Sequence, residues 1–162
     1  MRRWSSFWSH SEDSFFHAES AEIAEAQSDA NRNNMATFKN DPLSYKVIGC
    51  ALEVYKTLGP GLLEKVYQKA LMKELELKGL KAEMEVPVSI VYKGDEIGEG
   101  LRLDILVENQ LIIELKSVEE LNPVHYKQLT SYLKLTGKKV GLLINFNVDD
   151  LMDGIHRIVN NY

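Results

Sequence analysis

Between Leu43 and Val159 the apolar residues change period several times, and each change marks an element. Val47, Ile48, Ala51, Leu52, Val54 and Tyr55 form one broad stripe at helical spacing. Gly59-Pro60-Gly61 interrupts it, as Gly and Pro do where a helix ends or the chain turns tightly. Leu63, Val66, Tyr67, Ala70, Leu71 and Leu75 restart the stripe and predict a second helix, closed by Gly79. The period then drops to two. Val86, Val88, Ile90 and Tyr92 predict a strand, Lys93-Gly94-Asp95-Glu96 a turn, and Leu101, Leu103, Ile105 and Val107 a second strand. Glu108-Asn109-Gln110 predicts another turn, before a third strand from Leu111 to Ser117. Pro123 opens a helix whose stripe is Tyr126, Leu129, Tyr132 and Leu133, and Gly137 ends it. Lys139 to Asn145 reads as a strand covered on both faces, and Val148 to Val159 as a last helix with Leu151, Ile155, Ile158 and Val159 on one side.

The predicted order is therefore α-α-β-β-β-α-β-α. Three meandering strands and a helical crossover to a fourth make an α/β domain, with a four-stranded mixed sheet flanked by helices and a C-terminal helix. Composition sets its limits. Residues 1–34 are rich in Ser, Ala, Glu and Asn, contain no Leu or Val, and predict a disordered tail. Trp4, Phe7, Trp8, Phe15 and Phe16 are unusual there; read as incidental, they fit translation beginning at Met35. Residues 35–162 form the domain. The tail holds three basic and six acidic residues, −3 of the chain's −5, so the domain stands at −2.

That charge lacks the basic footprint of a passive nucleic-acid-binding module, and counts less against an enzyme that meets phosphate through a cation. One cysteine, Cys50, excludes an internal disulfide and a four-cysteine zinc site, and its place in an apolar helical pattern predicts a buried thiol. No apolar run is long enough to span a bilayer, and no apolar stretch follows Arg2 and Arg3 to make a secretory signal, so a cytoplasmic protein is expected.

The chemistry gathers on the second and third strands. Residues two apart on a strand share a face, so Arg102 pairs with Asp104 and Glu114 with Lys116. A three-residue turn places Val107 opposite Leu111, hence Asp104 opposite Glu114 and Arg102 opposite Lys116. Two carboxylates so placed repel each other. One remedy is a hard divalent cation, Mg²⁺ or Mn²⁺, held by carboxylate oxygens and water. The other is an ordinary ion network in which Arg102 and Lys116 neutralise the pair. Glu64, one turn into the second helix, either projects toward this pair or is a solvated acid favoured at a helix N-terminus. Gln128 and Tyr132 share a helix face at i, i+4. Beside a phosphate they would hold a nucleotide or position the lysine; otherwise they are a surface amide and a core aromatic.

Asp104, nine residues, Glu114, one residue, Lys116 resembles the core signature of the PD-(D/E)XK nuclease superfamily, whose restriction-endonuclease-like core has the same α-β-β-β-α-β order. Gln128-x-x-x-Tyr132 looks like the helix motif of its RecB-type branch. Gly61-x-x-Glu64-x-x-Tyr67 is similar to the signature of the GxxExxY proteins, as are Asn145-Phe146-Asn147 and the final Gly154-Ile155-His156-Arg157. The resemblance covers Leu43 to Tyr162. It implies Mg²⁺-dependent hydrolysis of phosphodiester bonds in DNA, or less readily RNA, in repair, restriction or defence. Asp104, Glu114 and Glu64 would bind the metal, and Lys116 would orient or deprotonate water and stabilise phosphate charge. Gln128, Tyr132 and Arg102 would meet substrate. The competing expectation is a non-catalytic nucleic-acid-binding or accessory module of a larger complex. A small domain without an evident DNA-recognition element points to a homodimer or a partner protein.

Overall fold

The computed structural model describes residues 41–160. The expected tail, residues 1–34, and the first residues assigned to the domain, 35–40, lie outside the described residues.

Helix α1 spans Pro42–Leu58, capped by Asp41, whose carboxylate accepts from the Ser44 N–H and hydroxyl. Helix α2 spans Glu64–Leu77. Strands β1 (Ala82–Tyr92), β2 (Asp95–Val107) and β3 (Leu111–Lys116) follow as antiparallel neighbours. Helix α3, Pro123–Thr136, crosses to β4, Val140–Asn145, which lies parallel to β3. Asn122 and His125 cap α3 reciprocally, and Gly137 closes it in the left-handed conformation that glycine adopts without steric cost.

The sheet has five strands in the order β1-β2-β3-β4-β5, one more than the sequence predicts. The last helix expected over Val148 to Val159 is instead a 3-10 turn, Leu151–Gly154, and strand β5, Ile155–Val159, antiparallel to β4. Leu151, Ile155, Ile158 and Val159 fit helical spacing, but the last three are β-branched and find an open sheet edge beside β4. Gly154 makes the turn possible, because a Cβ there would collide with the Asn145 carbonyl.

Leu129, Tyr132 and Leu133 of α3 pack with Val88, Leu103, Leu106, Ile112 and Leu143 on one face of the sheet. By alternation Leu111, Ile113 and Leu115 turn away from that cluster, and α2 contacts β1 and β3. Residues 111–115 are all buried, as a central strand between two helical layers must be. Cys50 is buried within α1, as its apolar setting predicts. No helix among the described residues is long and apolar enough to cross a membrane.

Candidate active site

The ladder between β2 and β3 has the expected register, with Val107 opposite Leu111. Glu108 and Asn109 take left-handed φ values of 51° and 52° to make the turn. The ladder stops at Ile105 and Ile113, one residue short of Asp104 and Glu114. Beyond that point side chains replace backbone pairing. Asp104 Oδ2 accepts the Leu115 N–H at 2.7 Å. Lys116 Nζ donates to Glu114 Oε1 at 2.7 Å and to the Leu115 carbonyl at 2.9 Å. The strands thus part where the charges begin.

Glu64 reaches the same place from α2, and a rigid loop aims it. The Tyr67 hydroxyl accepts the Leu62 N–H at 3.0 Å and donates to the Gly59 carbonyl at 2.7 Å. Its ring stacks on Phe146 at 4.3 Å between centroids. Gly61 turns through φ 90°, a value that side chains rarely adopt. Ser117 Oγ ties the loop to β3 by donating to the Leu62 carbonyl at 2.6 Å. The Gly61-x-x-Glu64-x-x-Tyr67 spacing therefore has a structural meaning: Tyr67 clamps the turn, and Glu64 opens the helix beside the charged centre.

The electrostatics follow from crowding these groups out of water. Burial pushes the Glu114 carboxyl up, and the charge of Asp104 adds to it, while the Lys116 bond pulls back; the pKa settles at about 7. Burial also raises Asp104, with Glu85 adding to it against the Leu115 N–H and Lys116. Glu64 is raised by burial and by the charges of Asp104 and Glu85, against the pull of Lys116. Burial disfavours the Lys116 ammonium, but the Glu114 bond and the charges of Glu114, Glu64 and Asp104 outweigh it and raise its pKa.

Two participants are not expected from sequence. Gln68, one turn after Glu64 and 6% exposed, donates to the Asp104 carbonyl at 2.9 Å and to Glu85 Oε1 at 3.1 Å. Glu85 lies on β1 between the Met84–Ile105 and Val86–Leu103 pairs, at φ 55°. The i, i+4 relation of Gln68 to Glu64 was available as a signal; nothing in the β1 pattern marks the break at Glu85. Another buried polar group, Asn145, holds the segment after β3. Its side chain accepts from the Val118 N–H at 3.1 Å and the Asn147 N–H at 3.3 Å, and donates to the Val118 carbonyl at 2.8 Å.

The other expected substrate contacts bond within the protein. Arg102 is exposed and donates to the Glu85 carbonyl at 3.0 Å. Gln128 donates to the Tyr132 hydroxyl at 3.1 Å, and Tyr132 packs in the apolar cluster under α3. His125 serves as a helix cap, and His156 packs edge-on against Tyr126.

The donor set suits a hard divalent cation: carboxylate oxygens, with no competing sulfur or imidazole in the centre. One buried acceptor asks for a partner. Glu114 Oε2 has no hydrogen bond among the described residues, which is costly in a protein interior. Among the described residues no three acidic, His or Cys side chains are placed so that they could hold a metal ion together. The reason is visible, since Asp104 Oδ2 is turned to a backbone N–H and Glu114 Oε1 to Lys116.

Searches of curated proteins and of solved structures found no significant match. The family comparison is decisive: residues 41–158, nearly all of the described fold including the divided strands and the Glu64 loop, match the PD-(D/E)XK nuclease superfamily, and the chain belongs to it.

Proposed function

We propose that this chain is a Mg²⁺- or Mn²⁺-dependent nuclease that hydrolyses phosphodiester bonds in DNA. One observation carries the reading: Glu114 is buried beside Asp104 with one oxygen on Lys116 and the other without a partner. A fold gains nothing from such a group unless something binds it. Asp104, Glu114 and Glu64 would hold the cation, which supplies Lewis acidity at the phosphate and lowers the pKa of water. Lys116, kept protonated by its acidic neighbours, is suited to hold a phosphate oxygen and orient water rather than to remove its proton. Gln68 fixes the Asp104 carbonyl where the strand ladder has ended, and Asn145 fixes the segment after Lys116. Preorganisation of this kind keeps reacting groups in place.

The clamped Gly61-x-x-Glu64-x-x-Tyr67 turn supports placing the chain in the GxxExxY branch. The work of such an enzyme would be in repair, restriction or defence, on its own or beside a partner. The domain's near-neutral charge favours the second reading, an accessory module that keeps the fold without turnover. Cleavage of single- and double-stranded DNA and of RNA with millimolar Mg²⁺ or Mn²⁺, beside Asp104→Ala, separates the two. The nuclease reading expects wild-type cleavage that the substitution abolishes. Wild-type protein inert on every substrate with both cations would overturn it in favour of the accessory module.

A further inference from the structure

A cavity of about 370 Å³ opens beside the charged centre, lined by Gly61, Leu62, Leu63, Glu64, Ser117 and Asn147. It is within the size range of small-ligand pockets. Three features define it. Its floor is apolar and exposed: Leu63 is 78% and Leu62 39% accessible. One lining residue, Leu62, is held through both its backbone groups, by Tyr67 and Ser117. The cavity is continuous with the acidic centre, since Glu64 belongs to both and Ser117 follows Lys116 directly. Leu63 therefore stands uncovered on a held turn, next to the most charged place in the described fold. Packing gives no reason for this.

We propose that this cavity seats one unpaired nucleobase of the strand being cut, next to the scissile phosphate. The inference rests on the nuclease reading and names a part of the substrate. Whatever lies beside a bound phosphodiester along its own strand is a nucleoside, so the neighbouring cavity receives a base. Leu62 and Leu63 offer an apolar ledge for its face, as inserted leucines do elsewhere in nucleic-acid recognition. The Asn147 amide brings a donor and an acceptor for its edge. A base in a duplex has both faces stacked and its pairing edge used, so a single-stranded or frayed segment enters without the cost of unpairing. The seat also accounts for the whole Asn145-Phe146-Asn147 run. Asn145 ties the segment after β3, Phe146 stacks on Tyr67, and Asn147 lines the cavity.

The test compares wild type, Leu63→Ala and Asn147→Ala on a single-stranded oligonucleotide, the same oligonucleotide with abasic sites flanking the cleaved bond, and the duplex. Cleavage is followed in Mg²⁺, and binding by fluorescence anisotropy in Ca²⁺. Leu63 is exposed, so its truncation leaves folding intact. Leu63→Ala is expected to raise KM, or Kd where cleavage is slow, about ten-fold on the single strand, the loss of the apolar contact beneath one base. Asn147→Ala should raise it by a smaller factor, kcat should hold within about two-fold, and the abasic substrate should erase the difference between wild type and variant. Single strand should be preferred to duplex. Cleavage by wild type with no Leu63 effect, or a Leu63 effect undiminished on abasic substrate, overturns the base seat and leaves the nuclease reading standing. A wild type that neither cleaves nor binds any of the three overturns both.

Discussion

Glu114 and Asn145 lie on the two parallel strands at the heart of the sheet, and each is 1% exposed. Asn145 faces Lys116 across the ladder and satisfies its amide with three hydrogen bonds to backbone groups of Val118 and Asn147. Glu114 has one partner, Lys116, and an orphaned oxygen, and the carboxylate of Asp104 raises the cost of its charge. A buried polar group with full hydrogen bonding stiffens a fold, and one left short strains it. The burial of Asn145 is therefore accounted for by its own hydrogen bonds. That of Glu114 is not, and its unexplained cost is what the proposed cation site would account for.

The sharpest way to break this contrast is pH. The folded pKa of Glu114, about 7, lies above the model-peptide value of 4.5, so the fold favours the neutral acid. Stability without metal should be highest below pH 4.5 as far as this group is concerned, fall as pH rises through the window from 4.5 to 7, and level above it. The shift corresponds to a loss on the order of 3 kcal/mol. Glu114→Gln should flatten that part of the slope in urea melts between pH 4.5 and 8, and stabilise the metal-free protein at pH 8. If Glu114→Gln is instead less stable than wild type at pH 8, Glu114 is a structural ion and the contrast fails.

Next in size is Asn145→Ala, expected to cost about 2 kcal/mol at every pH, because buried backbone groups of Val118 lose their partner. No part of that loss should depend on cations. Chemical denaturation at two pH values checks it, and a pH-dependent loss would mean that the two buried groups are not separable. Tyr67→Phe should cost about 1 kcal/mol through its bonds to Leu62 and Gly59, while weakening cation binding through Glu64. Calorimetric titration with Mn²⁺ would show this. Unchanged cation affinity would mean that the clamp holds the loop without aiming Glu64.

Much of this centre is written in local pattern. The period of two places Asp104, Glu114 and Lys116, and the three-residue turn sets their register, because apolar alternation and turn length together leave a hairpin little freedom to slip. The turn at Lys93-Gly94 and the caps at Pro123 and Gly137 are equally local. What escaped was tertiary. The apolar residues after Gly154 serve a helix or a strand equally by spacing, and the open edge of β4 decides for the strand. Glu85 joins the centre through a break in β1 that no side-chain pattern announces. Gln128 and Tyr132 have helical spacing that shows they meet, and they do, but bonded to each other with Tyr132 in the core.

The central claim is that the strain at Glu114 and Asp104 is a cation site. Thermal melts at pH 8 of wild type and Asp104→Asn, each with and without millimolar Mg²⁺ or Mn²⁺, test it most directly, because a ligand of the folded state alone raises its melting temperature. Wild type should gain several degrees with either cation, and Asp104→Asn should melt no lower than wild type without metal and should not respond to it. A wild-type melt indifferent to both cations, with Asp104→Asn destabilised, would contradict that claim.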